Sequence, residues 1–304
     1  MRFRKTLTYS KQSVDSKDIK EVIKVLKSKL ITQGDIVKSV EKKISKIVGS
    51  KYCIVCNSGT SALHLSCLSL DLKNTDIVWT VANTFAATIN AALFCGAKID
   101  FVDIELDTFN ICINSLKEKL KKSKPTVIIV VHLGGISPNL DEIKKLAKKY
   151  KFRIIEDASH SFGGKFKKKH IGSCHYSDLT TFSFHALKTI TSAEGGAITT
   201  NSKKIYDKLK LYRENGIIKK KSKRFNDYDQ VSLGLNNRMS EVNASLLNSQ
   251  LKKYQKFINI RTKIQERYKN FLQNYKVLIQ KQKKHSVSSH HLLIIVLKDK
   301  KISR

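Results

Sequence analysis

Between residues 52 and 157 short apolar runs alternate with amphipathic stretches, and this alternation limits the possible folds more than any other feature. The runs are YCIVC (52–56), IVW (77–79), KIDFVDI (98–104), TVIIVVHL (126–133) and FRIIED (152–157). Between them lie TSALHLSCLSL (60–70), TFAATINAALFCG (84–96), INSLKEKLKKS (113–123) and LDEIKKLAKKY (140–150), whose apolar positions recur with helical spacing. A short apolar run suits a strand covered on both faces, and a helix is the usual link between two parallel strands. The chain is therefore expected to be α/β, with a mostly parallel central sheet and a ligand crevice at the carboxyl ends of its strands.

Other segments extend this pattern. Two amphipathic helices are predicted over 16–30 and 35–49. DLTTFSF (178–184) and GAITT (196–200) predict two more strands, followed by a helix over about 202–214. Residues 217–232 are polar and basic and read as a long loop, and 238–272 reads as one long helix leading out of the first domain. SHHLLIIVLKDKKISR then begins a strand. The expected division is a large domain over 1–237, with its N-terminal helices, and a linking helix plus the start of a smaller domain over 238–304.

The formal net charge of +33 invites a nucleic-acid reading. Only nine of the 58 basic residues are arginine, however, and the lysines are spread along the chain. Bidentate reading of phosphates and bases favours arginine. The densest clusters, KFKKKH (165–170) and KKKSKR (219–224), read as solvated loops, so no nucleic-acid partner is expected. Such a surface can still steer an anionic substrate. No run of 18 apolar residues exists, so no membrane span is expected. Cys53 and Cys56 have C-x-x-C spacing, but on a strand positions three apart face opposite ways. Buried, reduced thiols are expected, no metal, and a cytoplasmic location.

Three strand ends carry candidate chemistry. IIEDASH places Asp157, Ser159 and His160 just beyond an apolar run; a local turn cap is the plainer use of that carboxylate. CNSGTSALHL places Ser58, Gly59 and Thr60 between a strand and a helix, either as an ordinary helix cap or as an anion site. TFSFHALK places Ser183, His185 and Lys188 past another strand, where a lysine is commonly a solvated loop residue. An anion cradle, a carboxylate and a lysine are together the parts needed to hold pyridoxal phosphate and use its ring as an electron sink.

The order of NSGTSALHL, TFAAT, GAKIDFVDI, EDASHSFGGKFKKKHIGS, FSFHALKTITSAEGGAITT and LGLNNRMSEVNASLLNSQL along the chain closely resembles the DegT/StrS family of sugar-nucleotide aminotransferases. The resemblance runs from about residue 7 to the last residue. It implies the aspartate-aminotransferase-like fold (fold type I of the pyridoxal-phosphate-dependent transferases), pyridoxal 5'-phosphate as cofactor, and a homodimer. It implies Lys188 as the Schiff-base lysine, Asp157 as partner of the pyridine nitrogen, and His160 at the cofactor's ring oxygen. Phe85 matches the aromatic residue stacked on the ring, and Ser58, Gly59, Thr60 and Ser183 match the phosphate contacts. Asn236 matches a residue that reaches the phosphate from the second subunit. Tyr9 and the turn Lys29, Leu30, Ile31, Thr32 match positions near the sugar nucleotide, with His185 close enough in sequence to Lys188 to join them.

Within the family, LTYSKQSVDSKDIKEVIKVLKSKLITQG, FSFHALKTITSAEGG and SSHHLLIIVL are most similar to members that aminate a UDP-4-keto-6-deoxy-N-acetylhexosamine with L-glutamate for pseudaminic acid, releasing 2-oxoglutarate. Members that make UDP-4-amino-4-deoxy-L-arabinose share FSFHA-K-T-AEGG. A non-catalytic relative is a further reading, and a dehydratase-type relative would have histidine in place of Lys188. The chain departs from the family pattern at Ala82, before Asp76 and at Asn237. The family continues beyond KISR, so the smaller domain is expected to be incomplete.

Overall fold

A computed structural model describes residues 10–220 and 227–297. The first helices are α1 (Ser16–Leu26) and α2 (Asp35–Val48). Next come β1 (Tyr52–Cys56), α3 (Gly59–Ser69), β2 (Ile77–Thr80), α4 (Ala86–Leu93), β3 (Lys98–Phe101), α5 (Ile113–Lys122), β4 (Val127–Val131), α6 (Leu140–Tyr150) and β5 (Arg153–Asp157). The chain continues through β6 (Lys165–Phe166), β7 (Lys169–His170), β8 (Leu179–Ser183), β9 (Gly196–Thr200) and α7 (Lys203–Arg213). It ends in β10 (Ile217–Lys219), β11 (Tyr228–Gln230), α8 (Glu241–Gln250), α9 (Tyr254–Leu272), β12 (Val277–Ile279), β13 (Ser286–Val287) and β14 (Ile295–Leu297).

The central sheet has seven strands in the order β1-β9-β8-β5-β4-β2-β3. From β8 to β3 every pair is parallel, and β9 runs antiparallel to both β8 and β1. Two antiparallel steps restore direction, so β1, β8, β5 and β4 all end on the same edge. The mostly parallel sheet is thus as expected, with β9 the one reversed strand. Every residue of β4 and β9 is buried, as strands covered on both faces require.

Alternation along each strand feeds two cores, one per face. Cys53, Val55, Ile128 and Val130 belong to one, and Ile54, Cys56, Val127 and Ile129 to the other. The C-x-x-C pair is therefore split across the sheet. All six cysteines are free, and no cluster of three metal-ligating side chains occurs among the described residues. No helix among these residues is long and apolar enough to cross a membrane.

Three expectations about local structure need correction. The predicted helix over 238–272 is two helices, α8 and α9, broken at Leu251–Lys253. The break lacks proline and glycine, so periodicity runs through it. What turns the chain is tertiary: Lys253 Nζ pairs with Asp18 Oδ2 at 2.6 Å and Asp15 Oδ2 at 3.1 Å, and Gln250 Nε2 donates to Asp18 Oδ2 at 2.7 Å. The loop over 217–232 contains the two-stranded ribbon β10–β11, whose side chains are nearly all exposed and so show no alternation to read. KFKKKH is the hairpin β6–β7 rather than a solvated loop. Its tip residues Lys167 and Lys168 have positive φ (45° and 66°), as a primed turn demands, and Phe166 is buried.

Helix α2 begins without a side-chain cap of its own, because Gly34 occupies the N-cap. Glu241, from α8, supplies one from 207 residues away. Its carboxylate accepts from Gly34 N (3.0 Å), Ile36 N (2.9 Å) and Val37 N (3.1 Å), and it is 2 % exposed. Three amides that no helical carbonyl can reach are thereby satisfied. Glu241→Ala should lower unfolding stability by about 3 kcal/mol, read as a lower urea midpoint with unchanged slope; a loss under about 1 kcal/mol would show that water replaces the carboxylate.

Candidate active site

Because four strands end on one edge, the residues that follow them converge there. A cavity of about 450 Å³ lies at that edge, lined by Ser58, Gly59 and Thr60 after β1, Val131 and Leu133 at the end of β4, and Asp157, Ser159 and His160 at the end of β5. Ser183, His185, Lys188 and Glu194, between β8 and β9, close another side, and Thr84 and Phe85 at the start of α4 close the mouth. The three candidate segments picked out by strand position therefore meet in one place.

At the floor, Ser58 caps α3 by accepting from Ser61 N at 3.0 Å. Capping and anion binding coexist here, since the Gly59 and Thr60 amides in the first turn have no acceptor within their helix. Ser183 stands against this turn: a Cβ on Gly59 would come within 2.8 Å of Ser183 Cβ. On the far side of the turn, a Cβ on Gly196 would come within 2.3 Å of Ser58 O. The glycines let two chain segments approach closely enough to present amides and a hydroxyl to one anion.

Asp157 is 6 % exposed, and its carboxylate accepts three hydrogen bonds. Thr88 Oγ1 donates to Oδ2 at 2.6 Å, and Ser159 N and Oγ donate to Oδ1 at 3.2 and 2.6 Å. The local turn cap is thus present together with a long-range anchor from α4. Thr88 was not singled out from sequence, although it ends the TFAAT motif; its partner Thr84 lies one turn earlier at 2.7 Å.

Lys188 follows a tight turn in which its N–H donates to His185 O at 3.0 Å. Burial lowers its amine from the ordinary lysine value, and Asp157 pulls partly in the opposite direction. A lowered amine pKa favours the neutral, nucleophilic form. His160 is pushed down to about 4, mainly by burial, then by Lys188 and His132, against the pull of Asp157. Its Nδ1 accepts from Gly134 N at 3.3 Å. His185 lies nearer the opening, with Nε2 3.7 Å from Glu194 Oε1.

Other candidates lie elsewhere. Asn236 is exposed and outside this cavity, bridged to Glu214. Its neighbour Asn237 is the one beside the cradle: its carbonyl accepts from Asn57 N at 3.0 Å and its Oδ1 from Ser61 Oγ at 3.3 Å. Lys29, Leu30, Ile31 and Thr32 are exposed at the α1–α2 turn, where Ile31 O accepts from Glu241 N and Thr32 bridges Ser240. Tyr9 lies outside the described residues.

This geometry fits pyridoxal phosphate: an amide-and-hydroxyl cradle for a phosphate, a carboxylate held at a distance from it, a buried amine, and the Phe85 ring, 77 % exposed, at the mouth.

Comparison with known proteins agrees. Residues 12–304 match the DegT/DnrJ/EryC1/StrS aminotransferase family. The chain is 43 % identical over 294 residues to a UDP-4-amino-4,6-dideoxy-N-acetyl-beta-L-altrosamine transaminase of Campylobacter jejuni subsp. jejuni serotype O:23/36, covering 96 % of this chain and 76 % of that one. The solved structure of Helicobacter pylori PseC, an aminotransferase involved in the biosynthesis of pseudoaminic acid, superposes with a TM-score of 0.90 at 32 % identity, over 97 % of this chain and 79 % of that one. The PLP form of Spr1654 from Streptococcus pneumoniae superposes with a TM-score of 0.88 at 28 % identity, over 97 % of this chain and 79 % of that one.

Two imidazoles held low by burial set a pH dependence for stability: His160 at the site and His291, which packs on it with ring centroids 4.4 Å apart. The unfolded chain binds more protons than the folded one, so their contribution is complete above about pH 6.5 and is lost as pH falls toward 4. His160 alone should cost about 2 kcal/mol between pH 7.5 and 5, visible as a falling urea midpoint of the cofactor-free protein. A flat midpoint over that range would mean that His160 is solvated.

Proposed function

Since the chain belongs to the DegT/DnrJ/EryC1/StrS aminotransferase family, we propose that it transfers the amino group of L-glutamate to the 4-keto carbon of a UDP-4-keto-6-deoxy-N-acetylhexosamine. The product is UDP-4-amino-4,6-dideoxy-N-acetyl-β-L-altrosamine, a precursor of pseudaminic acid. The carrying observation is the meeting of Lys188, Asp157 and the Gly59–Thr60 amides in one cavity.

Pyridoxal 5'-phosphate supplies a carbonyl that takes up the donor's amine and a ring that accepts electrons from the carbon losing its proton. The chain supplies the rest. Gly59 and Thr60 N–H groups and the Ser183 hydroxyl would hold the phosphate, with Ser58 fixing their turn. Phe85 would cover the ring. Asp157, held by Thr88 and Ser159, would keep a proton on the ring nitrogen. His160 would donate from Nε2 to the ring oxygen.

Lys188 Nζ, made a better base by burial, would take the proton from glutamate Cα and hand it to the cofactor carbon bound to the donor's nitrogen, and water would then release 2-oxoglutarate with the amino group left behind. In the second half the same Nζ delivers a proton to sugar C4. His185 and the Lys29–Thr32 turn, with Tyr9, contact the sugar nucleotide. The enzyme works as a homodimer in which Asn236 reaches the phosphate of the partner subunit; the exposure of Asn236, Leu233 and Leu235 supports this. Six free thiols support a cytoplasmic location.

Purified protein incubated with pyridoxal phosphate should gain a visible absorption band that L-glutamate bleaches. Lys188→Ala should lose that band and at least about 1000-fold in amino-sugar formation, followed by mass spectrometry over a panel of UDP-4-keto sugars. Turnover surviving in Lys188→Ala would remove the assignment, and amination of only a pentose substrate would move the substrate to the arabinose branch.

A further inference from the structure

The C-terminal segment packs against His160. Ser289 N donates to Gly135 O at 3.3 Å, and His291 N and Leu292 N both donate to Gly134 O at 3.2 Å. Gly134 passes its own N–H to His160 Nδ1, and Ser289 Oγ donates to the His160 carbonyl. This seating has little slack: a Cβ on Gly135 would stand 2.5 Å from Ser289 Oγ, and one on Gly134 2.5 Å from Gln280 Oε1. From α9, Arg261 Nη1 donates to His291 O at 3.2 Å and Gln265 Nε2 to Leu292 O at 2.7 Å. The result is that the His291 ring lies over the His160 ring, with centroids 4.4 Å apart and planes 38° apart.

We propose that His291 is a positioning residue for His160: its ring covers one face of His160 and, with the Gly134 amide on Nδ1, keeps it neutral with Nε2–H as its one ring donor. The functional side of this rests on His160 meeting the cofactor's ring oxygen, as assigned above. The groups facing the two rings are Lys188, Asp157, Arg261 and His132, whose Nε2 lies 3.1 Å from Glu156 Oε2. A protonated His160 would compete with Lys188 for Asp157. A neutral one donates a hydrogen bond without adding charge. His291 is itself pushed well below the ordinary imidazole value, first by burial, then by His160, Lys188 and Arg261. Its Nδ1 is buried without a partner among the described residues, so what it brings to His160 is ring packing rather than a bond from that nitrogen.

The test is nitrogen NMR of histidine-labelled, cofactor-free protein titrated from pH 8 to 4. In the unsubstituted protein His160 should be the Nε2–H tautomer and protonate only near pH 4. In His291→Ala its midpoint should rise toward 6.5 as water enters. His291→Phe keeps an aromatic cover and should leave His160 unchanged. An unmoved His160 in His291→Ala, a raised midpoint in His291→Phe, or an Nδ1–H tautomer in the unsubstituted protein overturns the proposal; the last needs no variant to fold. With pyridoxal phosphate loaded, the pH midpoint of the visible band should shift in His291→Ala and hold in His291→Phe. Movement of His160 without movement of the band would leave the positioning role standing and overturn the ring-oxygen contact.

Discussion

A parallel sheet buried on both faces has few places for polar chemistry, and the rest of this structure follows from that constraint. Strands such as Val127–Val131 have no solvent-facing residue, so polar side chains collect where the strands stop. Here β1, β8, β5 and β4 stop together. The amides of α3, the carboxylate of Asp157 and the amine of Lys188 thus share a cavity although 129 residues separate the ends of the set, from Gly59 to Lys188. Burial then sets the chemistry, lowering the pKa of Lys188 and His160 by the same desolvation.

The reversed strand β9 gives this edge its close packing. Running back between β8 and β1, it starts at the cavity with Gly196, directly behind Ser58, and leads the chain away from it. Gly196, the last residue of AEGG, is therefore the backbone wall behind the cradle, and a side chain there would push the Gly59 amide out of place. Asp157 shows a similar economy. One carboxylate oxygen closes its own turn through Ser159, and the other is held by Thr88 from a different crossover, so orientation is set by two elements at once.

Much of this was legible in the sequence, because strand ends announce themselves. Asp157 follows four apolar or strand-compatible residues, Ser58 separates a strand from a helix, and the order of motifs points to one family. What the sequence did not show has two causes, long-range contact and missing alternation. The α8–α9 break turns on Lys253 meeting Asp15 and Asp18, and the cap on α2 on Glu241; both contacts span more than 200 residues. The ribbon β10–β11 is paired through its backbone, with exposed side chains on both faces, so no alternation of apolar and polar residues was present to be read.

By itself the sequence determined the strand and helix periodicity, the parallel topology it requires, and the identity of the lysine, carboxylate and cradle at the strand ends. These are local properties: they depend on side chains a few residues apart along one element. Only the tertiary structure decided that Thr88 holds Asp157, that Asn237 rather than Asn236 touches the cradle of its own chain, and that His291 covers His160. Such contacts arise when distant segments are pressed together by burial of their apolar faces, and no repeat along the chain records which polar groups will then be left facing one another.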